Sequence, residues 1–235
     1  LMPVMQSPSY HGYDATDYRT IEEDYGTTAD FHRLIAAAHE RGMKVVVDLM
    51  LNHTSSEHPW FLSSAQDPGS STRDWYVWRS DDPGETTSWG TPAWHELDGA
   101  YYLGLFWEGM PDLNFRNPEV TAEMEDVARF WFEDMDVDGF RLDAVRHLLE
   151  DGADFDGPPQ THAWLGAWDD VLDAEAGPQF FTVGEVWDET YEVAPYVTGG
   201  EVDVAFEFAL ADAILTAVER GDPAPLDRAL TTALT

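Results

Sequence analysis

The stretch from Asp30 to Met50, DFHRLIAAAHERGMKVVVDLM, decides the fold class of this chain. Its first half repeats apolar residues at the i, i+3, i+4, i+7 spacing of an amphipathic helix. Thr27 or Thr28 suits the N-cap of that helix, and Gly42 suits its exit. The second half is a β-branched run that is apolar on both faces, as a buried parallel strand requires. A helix followed directly by such a strand is typical of an α/β winding.

The same order of elements recurs along the chain. Asn117 and Pro118 predict the start of a helix that runs to about Glu133. The elements predicted after it are the strand Val137–Asp143, a helix near Ala163–Glu175, the strand Phe180–Glu185, a strand near Val202–Phe206 and a helix near Ala209–Glu219. We therefore expect a parallel sheet or barrel with helices packed outside it.

The winding stops between Asn52 and Arg116, where Pro, Gly, Ser, Asp and Trp are frequent. A structureless loop of that length is uncommon in a compact domain. We therefore expect a small inserted subdomain with its own turns and short strands over residues 52–116. It would separate a first barrel part at residues 1–51 from a second barrel part at residues 117–235.

Composition places the chain among globular proteins and argues against several classes of partner. Hydrophobic residues make up 43% of the 235 residues, too many for a disordered chain, and no apolar run is long enough to span a membrane. With 12 Lys and Arg against 46 Asp and Glu, the formal net charge of −34 repels nucleic acids and anionic membrane surfaces. Such acidity also suits a high-salt environment. There is no Cys, and the sequence leaves the cellular compartment open.

Polar residues follow each buried strand, at the end where parallel barrels carry their functional groups. Arg141 and Asp143 are two residues apart in one strand, so their side chains share a face. An arginine beside an aspartate favours the ionised carboxylate, so we expect a lowered pKa for Asp143. Glu185 ends the next strand among apolar and aromatic neighbours, which we expect to raise its pKa. An ionised carboxylate and a protonated carboxyl form the pair that glycoside hydrolysis uses.

Other interpretations of these strand ends remain open. Strand-end acids in a chain with 46 acidic residues are often caps or surface charges. Asp48, His53 and His147 could serve a metal-dependent hydrolase, although their spacing matches no zinc motif. A dinucleotide- or phosphate-binding enzyme is a further α/β option, but no Gly-rich loop follows any predicted strand.

Five segments of the sequence resemble the signatures of the alpha-amylase superfamily of retaining α-glycosidases and transglycosidases. In the family's order they are HGYD at 11–14, DLMLNH at 48–53, MPDLN at 110–114, GFRLDAVRH at 139–147 and GEVW at 184–187. The resemblance implies a partial (β/α)8, or TIM, barrel that holds about strands two to six, with the inserted subdomain after the third barrel strand. The signature with the family's third catalytic acid is absent. We therefore expect residues 1–235 alone to be inactive or nearly so.

The resemblance also implies catalytic roles for individual residues. Asp143 matches the catalytic nucleophile, and Glu185 matches the general acid/base. Arg141 matches the cation that keeps the nucleophile ionised, and Asp48 matches a residue that orients these neighbours.

Six further residues match positions that bind sugar in the family. They are Tyr13, Asp14, His53, Arg146, His147 and Trp187. Structural alternatives stay open for four of them: a turn residue for Asp14, a cap after a strand for His53, and a solvated helix start for Arg146 and His147.

The family often holds a structural calcium ion between the barrel and the insertion. Asn52 and Asp112 match two side-chain ligands of that ion, and His147 matches the residue that supplies a backbone carbonyl. These are the oxygen donors that calcium prefers. No organic cofactor is implied.

The substrate implied by the resemblance is an α-1,4-linked glucan, such as a starch-like maltooligosaccharide. Met110 and the HGYD segment favour an alpha-amylase-like enzyme, whereas a Gln in place of that Met favours an α-glucosidase acting on chain ends. A trehalose-forming isomerase or a transglycosylase shares the same nucleophile and acid. A non-catalytic relative that keeps the barrel as a binding module is the alternative of another class, but such a protein is expected to have lost the acids.

Overall fold

The structure, a computed structural model, describes residues 1–233. In chain order the strands are β1 (Met5–Gln6), β2 (Asp17–Ile21), β3 (Val46–Met50), β4 (Trp78–Arg79), β5 (Trp94–Leu97), β6 (Ala100–Leu103), β7 (Gly139–Asp143), β8 (Phe181–Gly184) and β9 (Val204–Ala205). The helices are α1 (Thr28–His39), α2 (Pro59–Gln66), α3 (Pro118–Arg129), α4 (Pro159–Glu175), α5 (Thr190–Thr198), α6 (Phe208–Arg220) and α7 (Ala224–Ala233).

The centre of the fold is a parallel sheet with the strand order β3, β7, β8, β9. Helix α3 precedes β7, α4 lies between β7 and β8, and α5 lies between β8 and β9. Asp48 pairs with Arg141 and Met50 pairs with Asp143, so β3 and β7 end level with each other. This arrangement confirms the predicted α/β class and the partial barrel.

The sequence predicts that the chain enters the second barrel strand partway, at Leu1, but residues 1–4 do not form a strand. Leu1 does lie beside β3, where its carbonyl accepts a hydrogen bond from the amide of Asp48 at 3.1 Å. Pro3 has no N–H to donate, so it cannot extend a ladder of hydrogen bonds. Among residues 1–233 the parallel sheet therefore has four strands instead of the five expected. The next segments, β1 and β2, pair antiparallel with each other.

The helix ends follow the capping residues seen in the sequence. Thr27 caps α1, and the side chain of Asp30 accepts a hydrogen bond from the amide of Thr27 to complete a capping box. Asn117 caps α3, which continues as a π-helical turn to Asp134. Gly221 ends α6 in the left-handed conformation, with φ of 63°.

Three helices were not predicted from the sequence, namely α2, α5 and α7. Pro195 lies inside α5. A proline in a helix interior argues against a helix when only the sequence is considered. Helix α4 also begins earlier than predicted, at Pro159 instead of near Ala163. None of the helices within residues 1–233 combines the length and the apolar character that a membrane span requires.

The segment between β3 and α3 carries its own small sheet. Its antiparallel strands have the order β4, β6, β5, and α2 packs beside them. The ring of Phe61 meets the rings of Tyr76 and Tyr102 edge-on, with centroids 5.0 and 4.9 Å apart. An isolated bridge between His53 and Asp112 joins the two ends of the segment. The expected turns and short strands are therefore present, and the boundaries at residues 52 and 116 stay a prediction.

A buried hydrogen-bond chain fixes the end of β3. Trp131 is fully buried and its indole N–H donates to the carbonyl of Tyr18 at 2.9 Å. The Tyr18 hydroxyl lies 3.0 Å from the carbonyl of Met50 and 2.7 Å from the carbonyl of His53. The π-helical turn after α3 and strand β2 therefore hold the backbone where β3 passes into the insertion.

The buried side chain of His58 makes the stability of this region depend on pH. Its Nδ1 atom accepts a hydrogen bond from the amide of Trp60 at 3.1 Å and so caps α2, and the residue is only 4% exposed. Burial lowers the pKa of His58 from 6.5 to about 4. Because the pKa in the folded state lies below that in the unfolded state, the unfolded chain takes up the extra proton. Stability is therefore lost as the pH falls from about 6.5 towards 4.

We expect His58→Asn, which keeps a capping side chain, to remove about 2.5 kcal/mol of the stability loss between pH 7 and pH 4.5. Urea unfolding of both proteins at the two pH values measures the difference. Buried His53, whose pKa is also lowered to about 4, accounts for part of the acid loss that stays in the variant. Replacing exposed His32 by Asn is the matched control and should keep the original pH dependence. Equal acid losses in wild type and His58→Asn would contradict the prediction.

Candidate active site

One guanidinium gathers three carboxylates at the end of the parallel sheet. Arg141 Nη1 donates to Asp48 Oδ1 at 2.8 Å and to Asp143 Oδ1, and its Nη2 lies 2.9 Å from Glu185 Oε2. Asp48 comes from β3, Asp143 from the end of β7, and Glu185 directly follows β8. The amide of Glu185 donates to the carbonyl of Leu142 at 2.9 Å, which extends the parallel pairing to this residue. The structure thus brings together the four acidic and basic residues singled out in the sequence.

Burial governs the two aspartates of this cluster. Asp48 and Asp143 are only 3% and 7% exposed. Burial raises the pKa of Asp48 to about 6, although Arg141 opposes the shift. Burial also raises the pKa of Asp143, again against the effect of Arg141. The lowered pKa expected for Asp143 is therefore wrong, because the lost hydration of a buried carboxylate outweighs the attraction of a guanidinium shared among three acids.

The pKa of Glu185 is raised, which confirms the direction expected from the sequence. Burial is the larger cause, and the like charge of Asp143 adds to it. A hydrogen bond between the two carboxyls lowers the pKa of Asp143 and raises that of Glu185. The contact between the two carboxyls therefore favours the proton on Glu185 over Asp143. This division is the one required of an acid and a nucleophile.

Ala144 takes part in the site through its backbone, which the sequence did not indicate. Its φ of 51° lies in the left-handed region, which costs a non-glycine residue about 1 kcal/mol. This conformation turns the chain from β7 into the short helical turn Val145–His147. The amide of Ala144 then donates to Glu185 Oε2 at 3.3 Å. Strain at this residue thus accompanies a direct contact with the acid.

Tyr13 and His53 lie together beside the cluster. The Tyr13 hydroxyl donates to Asp48 Oδ2 at 3.2 Å, and the Arg141 guanidinium lies 5.7 Å from the centre of the Tyr13 ring. His53 is 2% exposed and burial keeps its ring neutral at pH 7 by lowering its pKa to about 4. Its Nε2 is 3.2 Å from the carbonyl of Tyr13, and its Nδ1 is 3.4 Å from the amide nitrogen of Asn52. A hydrogen bond from His53 to a sugar requires the bond to Tyr13 to open.

Asp14 is not brought into the cluster. It is 5% exposed, and its Oδ1 accepts hydrogen bonds from the hydroxyls of Ser7, at 2.7 Å, and Ser9. The structure therefore favours the turn interpretation of Asp14 over the sugar-binding one.

Arg146, His147 and Trp187 lie on the other side of Glu185. Trp187 is 67% exposed, and its ring stacks on Phe208 with centroids 4.5 Å apart. His147 Nδ1 lies 2.8 Å from the carbonyl of Phe155, which agrees with a donated hydrogen bond. Arg146 contacts Trp187 and other chain segments directly.

The metal-dependent alternative is not supported by these contacts. Asp48, His53 and His147 direct their polar atoms to different protein partners, and not to a common metal position.

Two cavities meet at Glu185 and Phe106. One, of about 460 Å³, is also lined by Tyr13, His53, Arg141 and Asp143. The other cavity, of about 410 Å³, lies on the opposite side of Glu185 and is also lined by Trp89, His147 and Trp187. Phe106 and Trp89 stack with centroids 5.8 Å apart and form the wall contributed by the insertion. The sequence marked the insertion as rich in tryptophan, but gave no sign of which rings face the site.

Asn52 and Asp112 contact each other in the protein interior. Asn52 Nδ2 donates to Asp112 Oδ1 at 3.0 Å, while Asn52 Oδ1 is buried without a hydrogen-bond partner among residues 1–233. Burial raises the pKa of Asp112 well above its usual range, and Glu150 adds a like charge. An unpartnered amide oxygen beside a buried carboxylate is a pair of donors that suits a hard cation. Within the described residues no three His, Asp or Glu side chains are grouped to bind a metal, so further ligands must be carbonyls or water.

Removing Arg141 tests the importance of the shared guanidinium. We expect Arg141→Met to lower the free energy of unfolding by about 3 kcal/mol at pH 7, because it leaves buried carboxylates without a cation. Protonated carboxyls need no cation, so the loss should shrink to about 1 kcal/mol at pH 4.5. Urea unfolding at both pH values measures the effect. Arg19→Met removes a more exposed arginine that pairs with Glu123 and Asp126, and should cost less than about 1 kcal/mol. An equal loss at both pH values for Arg141→Met would refute this account.

Comparison with known proteins identifies the fold and its family. The model of the alpha-amylase catalytic domain matches residues 1–228. Alpha-amylase 3 of Dictyoglomus thermophilum is 43% identical over 218 residues, which cover 93% of this chain and 41% of that protein. The oligo-1,6-glucosidase of Parageobacillus thermoglucosidasius is 42% identical over 169 residues, which cover 68% of this chain and 30% of that protein.

A solved structure agrees with this assignment. The crystal structure of the alpha-amylase from H. orenii has a TM-score of 0.88 and 42% sequence identity, and the match covers 100% of this chain and 47% of that one. The chain therefore spans less than half the length of these relatives. On the sequence match, the shared fold and the parallel sheet with its strand-end acids, this chain belongs to the alpha-amylase family of glycoside hydrolases and transglycosidases.

Proposed function

We propose that the protein carrying this chain is a retaining glycoside hydrolase that acts on α-1,4-linked glucans. The observation that carries the proposal is the single Arg141 guanidinium that binds both Asp143 and Glu185. It holds two carboxyl groups together at one place, as a double-displacement reaction requires. The alpha-amylases among the relatives support the choice of glucan.

Asp143 acts as the nucleophile in the first step. Its carboxylate oxygen attacks the anomeric carbon while the bond from that carbon to the glycosidic oxygen breaks, and Glu185 gives its proton to the departing oxygen. In the second step Glu185 takes a proton from water, whose oxygen attacks the anomeric carbon and releases Asp143. The raised pKa of Glu185 supports its role as the acid, since it keeps the proton available.

The two cavities support an assignment of the sugar positions. The cavity with Tyr13 and Asp143 takes the sugar that becomes attached to the enzyme. The cavity with Trp89 and Trp187 takes the leaving part, because Glu185 lies between the two and must reach the bond that breaks. Tyr13 offers an aromatic face to the first sugar.

Related activities use the same intermediate. The relatives include a trehalose synthase of Thermus thermophilus, which is 39% identical over 246 residues. The oligo-1,6-glucosidase relative represents another linkage. In these alternatives a sugar replaces water, or a different linkage enters the same site, so the products distinguish them. A non-catalytic binding module is disfavoured because Asp143, Glu185 and Arg141 are all present and in contact.

Proton NMR of maltoheptaose with the full-length protein tests the proposal. We expect products that are first released as the α-anomer, and the loss of this activity in Asp143→Asn, because the amide cannot form the glycosyl ester. Product lengths separate internal cleavage from trimming at chain ends. Maltose incubated in parallel reveals trehalose if the enzyme is an isomerase. First-formed β-anomers, or full activity in Asp143→Asn, would refute the retaining mechanism.

We also propose that Asn52 and Asp112 contribute to a structural calcium site, with the carbonyl of His147 as a further ligand. The unpartnered Asn52 Oδ1 and the buried Asp112 carboxylate support it. A bound Ca²⁺ would neutralise the carboxylate and join the start of the insertion to its end.

Thermal unfolding tests the calcium proposal independently of activity. We expect calcium added after EDTA treatment to raise the Tm. The free energy of unfolding should rise by about 2.7 kcal/mol when the calcium concentration is a hundredfold above the Kd. Magnesium should do much less, because it demands a smaller octahedral site. Asp112→Asn should abolish the response, whereas Asp154→Asn at an exposed position should retain it. A Tm that is the same in EDTA and in calcium would rule the site out.

A further inference from the structure

The guanidinium of Arg146 makes several hydrogen bonds within the protein. Its Nη1 donates to the carbonyl of Trp187 at 3.0 Å and to Asp188 Oδ2 at 2.7 Å. Its Nη2 donates to the carbonyl of Asp156 at 3.2 Å, and its Nε is buried 3.9 Å from Asp156 Oδ1. An arginine has five N–H donors, and at least three of them are used here. The side chain is only 16% exposed, and it lines the cavity that also holds Trp89 and Trp187.

These contacts tie together the loops that follow β7 and β8. Arg146 belongs to the turn after β7, and its own carbonyl accepts a hydrogen bond from the amide of Gly157 at 2.8 Å. Trp187 and Asp188 belong to the loop after β8, two and three residues beyond Glu185. The Arg146 side chain therefore links the turn that follows the strand of Asp143 to the loop that begins at Glu185.

The two sides of Glu185 are held in different ways. On its N-terminal side, the backbone is fixed by the parallel sheet, where the amide of Glu185 donates to Leu142. On its C-terminal side, the chain leaves the sheet, and Val186 packs in the core while Trp187 turns outward. There the hydrogen bonds from Arg146 fix the backbone and the neighbouring Asp188 carboxylate. Removing them frees the loop next to the acid without touching the acid itself.

We infer that Arg146 is a positioning residue that holds the loop of the general acid Glu185. The inference rests on the proposed function, in which Glu185 protonates the leaving oxygen. General acid catalysis depends on a distance and an angle that the loop must keep to a fraction of an ångström. Loss of Arg146 should therefore weaken proton transfer more than it weakens binding.

Two aryl glycosides separate these roles, since their leaving groups differ in acidity and hardly in size. They are the 4-methoxyphenyl and 4-nitrophenyl α-maltotriosides, assayed with the full-length protein. A 4-nitrophenolate departs with little help from an acid, whereas a 4-methoxyphenolate needs the proton. We expect Arg146→Ala to lower kcat/KM at least about tenfold more for the 4-methoxyphenyl glycoside than for the 4-nitrophenyl glycoside. KM should change by no more than about twofold.

Three further variants complete the design. Glu185→Gln removes the acid itself, and so gives the largest difference in kcat/KM loss between the two glycosides that a missing acid can produce. Asp188→Ala removes one partner of the bridge from the other side and should show the same selectivity to a smaller degree, even if Arg146→Ala folds poorly. Arg129→Ala is the matched control, because Arg129 also binds two carboxylates, Asp126 and Glu175, on helices α3 and α4. It should behave like wild type, and Arg146→Lys should fall between wild type and Arg146→Ala because it keeps the charge but not the fork.

The outcomes are distinct. A larger loss on the 4-methoxyphenyl glycoside in Arg146→Ala and Asp188→Ala supports the positioning role. Equal losses on both glycosides, or no loss, overturn it and return Arg146 to a role in binding or in folding. A wild-type protein that hydrolyses neither glycoside and no maltoheptaose overturns the proposed function, and the inference with it.

Discussion

The structure depends on one half-buried guanidinium that contacts three carboxyl groups. Arg141 is the only partner that faces Asp48, Asp143 and Glu185 together within residues 1–233, and each acid lies in, or directly after, a different strand of the sheet. Buried carboxylates without a cation cost several kcal/mol, so the strands must keep the register that brings them to Arg141. A slip of one residue in β7 would turn Arg141 and Asp143 to the opposite face of the sheet. The interaction that prepares the chemistry therefore also fixes the pairing of the strands.

Basic residues are few in this chain, so one arginine often pairs with more than one acid. The chain has 12 Lys and Arg for 46 Asp and Glu, and several of these arginines serve more than one acid. Arg19 binds Glu123 and Asp126, and Arg129 binds Asp126 and Glu175. The planar fork of arginine can contact two or more carboxylates at once, whereas lysine offers a point charge. The remaining acids repel one another, and salt screens that repulsion.

Much of the fold and of the central cluster could be predicted from the sequence. Periodicity placed α1 and β3, and the strand-end rule placed Arg141, Asp143 and Glu185 at one edge. Patterns of this kind are local, and the parallel register converts them directly into proximity. The direction of the Asp143 pKa could not be predicted, because it depends on how deeply the carboxylate is buried and on how many acids share the guanidinium. The left-handed backbone of Ala144 and the rings of Trp89 and Phe106 also depend on tertiary packing, which no sequence spacing encodes.

The two arginines near Glu185 differ in what they hold, although both lie in the same signature segment. Arg141 contacts the carboxyl of Glu185, so it acts on the charge and on the proton. Arg146 contacts the carbonyl of Trp187 and the side chain of Asp188, so it acts on the path of the backbone. A strand can align the first arginine with its acids, because both are set by the register of the sheet. Beyond Glu185 the chain leaves the sheet, and the Arg146 side chain supplies a hydrogen bond to its backbone there. Arg146, in the turn after β7, therefore holds the neighbouring loop that leaves the sheet after Glu185.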